Sequence, residues 1–197
     1  GNKKTSPSIS TGSIKFVIFL LLLASILISL FRVIQDAGVL RAILGKAHVF
    51  RKIGRINVAF SNETTVPFSV MVWNSAWIVV PTAFLESPIK TKMSILHEIQ
   101  HHRQRDTSWL FIFQFLKAFI GMNPAVIFWI RIMSEVQELK VDENLVDQGK
   151  VEPREYARCL IEVAETVVTA EGQLVCAAGL AFFPDRHQLK RRIESMF

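Results

Sequence analysis

The sequence predicts an α+β protein, mainly helical, with a small and mostly antiparallel sheet, an N-terminal transmembrane helix and an apolar helical hairpin. Three observations lead there. A charge-free apolar run, Phe16 to Phe31, lies near the start of the chain. Short β-rich runs bounded by turn residues fill positions 55–81. From Ser87 onward the pattern is helical, and its second apolar stretch is interrupted by Gly121-Met122-Asn123-Pro124.

The elements follow in order. Residues 1–13 are rich in Ser, Thr and Gly and read as a disordered tail. The first residue is Gly1 and not Met, which leaves room for upstream sequence. Residues 14–34 form the expected span: about twenty residues cross a hydrocarbon core of about 30 Å. The run is longer than the apolar part of a signal peptide, and no small-residue cleavage site follows it. Residues 35–197 are expected to form one domain. Its first part, 35–54, places Val33, Ala37, Leu40, Leu44, Ala47 and Phe50 near one helical face, with Arg41, Lys46, Arg51 and Lys52 elsewhere. That pattern predicts an amphipathic helix. More Lys and Arg follow the span than precede it, which orients residues 35 onward to the cytoplasm.

Positions 55–81 are expected as strands. Arg55–Phe60 alternates, Asn62-Glu63 supplies a turn, and Thr65–Trp73 and Trp77–Val80 are β-rich. Trp73–Val80 is the expected exposed edge, on which a peptide substrate would add as a strand. Ser87-Pro88 is a helix start, with Ser at the cap and Pro in the first turn, and the helix should run to about Asp106. Residues 109–130 are apolar enough to pass for a second span. The break at 121–124 instead predicts two short helices in a hairpin that returns to the same side. Helices at 131–147, after Pro153 and over 189–197 complete the chain.

Composition narrows the function classes. The 197 residues suffice for one domain with a core plus a membrane segment. Net charge is +6. Without zinc-finger spacing, an RNA-binding signature or a concentrated Lys/Arg tract, a cytoplasmic membrane surface accounts for that charge better than nucleic acid, which is not an expected partner. The two cysteines, Cys159 and Cys176, do not make a disulfide framework.

The chemistry is carried by His97-Glu98-Ile99-Gln100-His101. On a helix, positions i and i+4 present two imidazoles to one metal ion, and the Glu beside the first His faces the water that the metal activates. Zinc lowers the pKa of that water to about 7. Glu98 then serves as general base and hands the proton to the leaving amine. A catalytic zinc wants a third protein ligand. Glu135, Glu138, Asp142 and Glu143 all qualify by chemistry, and Glu138 and Asp142 lie one turn apart, so that one can ligate while the other supports a ligand His.

The chain resembles the metallopeptidase domain of the BlaR/MecR-type sensor-transducers over roughly residues 55–197. The residues that carry the resemblance are His97-Glu98-Ile99-Gln100-His101, Arg105-Asp106, Asn123-Pro124, Glu138-Leu139-Lys140-Val141-Asp142-Glu143 and Arg191-Arg192-Ile193, together with Val66–Ser69 through Ile78–Pro81. The resemblance implies a zincin-like metallopeptidase fold with one Zn2+ per chain. It also implies Glu138 as the third ligand and Asp142 as a supporting residue. Lys140 and Val141 depart from the small residues or Cys commoner there. The family's extracellular penicillin-binding sensor is not expected among these residues, and neither is sensing of β-lactams by them alone.

The expected function is that of a membrane-anchored zinc endopeptidase at the cytoplasmic face of a bacterial inner membrane. Its partners are the lipid bilayer and a regulatory or membrane-proximal protein substrate, and self-cleavage is included. The alternative is a catalytically idle, zinc-stabilised membrane adaptor or interaction protein.

Overall fold

A computed structural model describes residues 11–72, 74–106, 123–169 and 186–197, with 109, 112, 113 and 116 described singly. The opening helix, α1, runs unbroken over Thr11–Lys46. Its segment Ile14–Lys46 has a mean hydropathy of 2.8 in its most apolar window, none of it buried within the protein. At 1.5 Å per residue the helix is about 54 Å long, well beyond the about 30 Å of a hydrocarbon core. Most of the amphipathic segment 35–54 is therefore the continuation of the apolar helix.

The last part of that segment is not helical. His48–Ile53 is strand β1, paired antiparallel with β2, Ile56–Ser61. The reason is local. Ile53 and Ile56 face each other across the two-residue loop Gly54-Arg55, and Gly54 adopts a φ of 61°. Gly at the first central position is what a tight hairpin turn requires. The helical spacing of Leu44, Ala47 and Phe50 is overridden by this turn.

Two further strands complete the sheet: β3, Phe68–Val72, and β4, Ser75–Pro81. The order is β1-β2-β4-β3. The outer pairings are antiparallel, whereas the central β2–β4 pairing is parallel. The edge expected at Trp73–Val80 is thereby corrected: β4 lies inside the sheet. Its Ala76, Ile78, Val79 and Val80 are at most 1 % exposed, and so apolar a strand is paired on both sides. The edges are β1 and β3.

After a 3-10 turn at Thr82–Glu86, α2 spans Pro88–Gln104. Ser87 caps it, accepting from the Lys90 amide, and Pro88 occupies the first turn. The helix stops at Arg105, which adopts the left-handed conformation. The expected hairpin 109–130 lies largely outside the described residues. Its far end is the start of α3, Pro124–Asp147, where the Asn123 side chain accepts from the Ala125 amide. Two more helices follow: α4, Pro153–Thr169, and α5, Arg186–Glu194.

Helix α2 is the wedge of the domain. Ile95 and Ile99 pack on the sheet side with Phe60, Ile78, Val80 and Phe84. Met93 and Leu96 pack on the helical side with Val141, Leu145, Tyr156 and Met196. Burying both stripes fixes the rotation of α2, and with it the direction of every side chain between them.

Candidate metal centre

His97 and His101 stand one turn apart on α2 and project toward α3. Their Nε2 atoms are 3.0 Å apart, with the rings nearly perpendicular at 87°. The Glu138 carboxylate of α3 closes the triangle, with Oε2 3.4 Å from His97 Nε2 and Oε1 3.4 Å from His101 Nε2. These three side chains form the group whose ligand atoms all lie within 4.8 Å of one another, and Glu98 is outside it. At about 100° per residue, Glu98 sits on the helix surface between the imidazoles and Ile95. It is buried, at 8 % exposure.

The far side of each imidazole is held. His101 Nδ1 is 2.9 Å from Asp106 Oδ2. His97 Nδ1 is 2.8 Å from the Tyr156 hydroxyl, which itself donates to Asp142 Oδ1 at 2.6 Å. A hydroxyl has one hydrogen to give. Since Tyr156 gives it to Asp142, the bond to His97 must be donated by Nδ1–H. Asp106 likewise accepts from His101 Nδ1–H. Each neutral imidazole then carries its lone pair on Nε2.

Two lone pairs and a carboxylate thus converge on one point, which only a cation or a proton makes favourable. The donor set and its spacing fit zinc. Bonds of about 2.0–2.1 Å at tetrahedral angles separate donor atoms by about 3.3 Å, against the 3.0 and 3.4 Å seen here. With no metal, a proton takes that place. Burial lowers the His101 pKa, but Glu138 and Asp106 outweigh it and raise it well above the ordinary 6.5. For Glu138, burial pushes upward, and Arg192 and His101 together pull the carboxyl well below its ordinary value.

Asp142 is wholly buried at 0 % exposure. It does not face the convergence point. It lies behind His97, with Oδ1 3.6 Å from Nδ1. Its main partner is Arg192 of α5, which donates from Nε to Oδ2 at 2.6 Å and from Nη2 to Oδ1 at 2.9 Å. The same guanidinium reaches Glu138 Oε2 through Nη1 at 3.0 Å. Burial next to Asp142 holds the Tyr156 hydroxyl well above its ordinary pKa, so it remains a donor.

Sequence reasoning placed Glu138 near the histidines but left Asp106, Tyr156 and Arg192 without a role beside them. Tyr156 is committed to Asp142 and His97 and is 1 % exposed, so its hydroxyl is not available to a substrate. Glu135 is turned away to Arg191, at 2.7 Å. Asp106 was legible in principle: a carboxylate just past the helix bearing His101 is a common partner for the second imidazole nitrogen.

The family model for the BlaR1 peptidases, M56, matches residues 10–196, nearly the whole chain. The chain belongs to the M56 peptidase family. The resemblance to the BlaR/MecR-type metallopeptidase domain is borne out by that match. A curated relative, the regulatory protein BlaR1 of Staphylococcus aureus, is 26 % identical over 119 residues. That stretch is 58 % of this chain and 20 % of the relative, so the M56 chain corresponds to about a fifth of the relative's length. Membership makes the chain a peptidase by family. The cluster of His97, His101 and Glu138 is a group able to hold the metal that such a peptidase uses.

Proposed function

We propose that this M56 chain is a zinc-dependent endopeptidase anchored in a bacterial cytoplasmic membrane. His97, His101 and Glu138 are its metal ligands, and Glu98 is its general base. The observation that carries the reading is the convergence of two Nε2 lone pairs and one carboxylate within 3.0–3.4 Å. Bound zinc would supply Lewis acidity, polarising the scissile carbonyl and acidifying water. Asp106 and Tyr156 keep the imidazole protons on Nδ1. Asp142 backs Tyr156 and, with it, His97. Glu98, beside the cluster and not part of it, takes the proton of the attacking water and passes it to the leaving amide nitrogen.

The substrate is an extended segment of a regulatory or membrane-proximal protein, the chain's own included. β3 is the sheet edge next to α2, and it offers the unpaired backbone groups on which such a segment aligns as an added strand. The apolar helix α1 anchors the domain, and Arg32, Arg41, Lys46, Arg51, Lys52 and Arg55 after the apolar run favour the cytoplasmic side.

The test uses protein purified in detergent or nanodiscs. Wild type is expected to hold one zinc per chain and to cleave an unstructured peptide. Glu98→Ala is expected to keep the zinc and lose cleavage. Retained zinc with unchanged cleavage removes Glu98 as base, and absent zinc removes the metal site. Zinc without cleavage in wild type leaves the adaptor.

A further inference from the structure

One buried cation touches two of the acidic groups on which the site depends, Glu138 and Asp142. Arg192 lies on α5, far from the metal helix in sequence, and its side chain is 11 % exposed. Nε and Nη2 go to the two oxygens of Asp142, at 2.6 and 2.9 Å. Nη1 goes to Glu138 Oε2, at 3.0 Å. Oε2 also stands 3.4 Å from His97 Nε2, and the other oxygen, Oε1, stands 3.4 Å from His101 Nε2. The two carboxylates stand one turn apart on α3, and a planar guanidinium with five donors in a fixed fork bridges them as the single ammonium of Lys does not.

We propose that Arg192 is the positioning residue of the metal site, holding Glu138 by one oxygen so that it offers the other, Oε1, to the cation. The inference rests on the reading of His97, His101 and Glu138 as ligands. Without that hold the Glu138 carboxylate is free to swing and bring in its second oxygen. Arg192 occupies one of them, which makes Glu138 a one-oxygen ligand and leaves a coordination position for substrate. The second arm of the fork acts on His97. With Asp142 fixed, Tyr156 must donate to it, so His97 must keep its proton on Nδ1 and its lone pair on Nε2. One side chain thereby sets both a ligand's orientation and a ligand's tautomer. A neighbouring arginine marks the contrast. Arg191, on the same helix, pairs with Glu135 at 2.7 Å while 67 % exposed, and touches no member of the cluster.

The experiment measures zinc affinity by chelator competition, and the visible spectrum of the cobalt-substituted protein, for wild type, Arg192→Lys, Arg192→Met and Arg191→Ala. Each folded variant is taken well below its unfolding temperature. Arg192→Lys is expected to fold and to bind zinc roughly 10- to 100-fold more weakly, the usual effect of losing a group that orients a ligand. Its cobalt spectrum is expected to shift toward higher coordination number as Glu138 brings in its second oxygen. Arg191→Ala is expected to match wild type in both. Where Arg192→Met fails to fold, Arg192→Lys decides. Arg192 variants that unfold more easily yet match wild type in zinc affinity and cobalt spectrum would assign Arg192 to docking α5 alone and overturn the proposal. Failure of wild type itself to bind zinc overturns the ligand reading instead, so the two failures are told apart.

Discussion

The Tyr156 hydroxyl donates to Asp142 at 2.6 Å, inside the helical core and out of reach of water. This bond connects three helices: Asp142 belongs to α3, Tyr156 to α4, and the imidazole that leans on the hydroxyl to α2. Its removal is the most direct probe of how far the site depends on what stands behind it.

Tyr156→Phe deletes one oxygen and leaves Asp142 short of a donor and His97 Nδ1 short of an acceptor. A buried polar group left unpaired costs about 1–3 kcal/mol. Thermal unfolding of the metal-free variant is expected to show a loss of that size. Zinc affinity is expected to fall as well, because Nδ1–H no longer has its fixed acceptor. Unchanged values of both would detach Tyr156 from the site.

Asp106→Asn tests the second imidazole. An amide that turns its nitrogen toward His101 Nδ1 favours the other tautomer, with the proton on Nε2, where it blocks the metal. Zinc binding is expected to weaken by roughly 10- to 100-fold with the domain still folded by circular dichroism.

Stability should depend on pH in opposite senses with and without metal. In the metal-free protein, His101 titrates above its ordinary 6.5. The protonated imidazole is favoured by the fold, so its contribution is complete below 6.5 and is lost as pH rises through the raised value. Glu138 titrates below its ordinary 4.5. Its contribution is complete above 4.5 and is lost as pH falls through the depressed value. Zinc needs His101 neutral, so binding displaces that proton and apparent affinity rises with pH until the raised pKa is passed. Calorimetry in buffers of differing ionisation enthalpy is expected to register proton release. Zinc binding with no proton release at neutral pH would contradict this.

Arg105 is the one non-glycine among the described residues with positive φ, at 60°. The left-handed conformation costs a side-chain-bearing residue about 1–2 kcal/mol, and glycine gives part of that back through its freer unfolded chain. Arg105→Gly is expected to stabilise the domain by about 0.5–1 kcal/mol in denaturant titration and to leave zinc affinity unchanged, since Asp106 keeps its place.

A peptide bound to the Glu98→Ala protein is expected to slow amide exchange at the β3 edge, Phe68–Val72, while exchange in β4 stays as it was. Protection at β1 in place of β3 would move the substrate strand to the other edge.

Much of the fold could be read from residue pattern. Ser87-Pro88 and Asn123-Pro124 mark helix starts because a capping oxygen and a missing amide are local needs, met within four residues. Strand β2 follows from the alternation of Ile56, Val58 and Phe60 in the same way, whereas Asn62-Glu63 opens a loop to β3, which does not pair with β2. The errors were of two kinds. The spacing of Phe50 suits a helix, and the Gly54 turn that pairs β1 with β2 prevails over that spacing. Trp73–Val80 reads as an edge because strand order is set by long-range pairing: the parallel match of β2 with β4 places β4 inside the sheet. At the site, two histidines one turn apart are visible in five letters. The behaviour of Arg192 is not, since it depends on α5 packing across α3 through Ile193 and Met196, contacts that no local pattern records.

The groups around the convergence point come from positions 97, 101, 106, 138, 142, 156 and 192. A ribosome delivers them in that order, and the guanidinium comes last. Until α5 has docked, the emerging chain carries two imidazoles, three carboxylates and a phenol without the guanidinium that joins Glu138 to Asp142. On the proposed role of Arg192, full zinc affinity therefore arrives only when α5 docks, after every other member of the cluster is already in place.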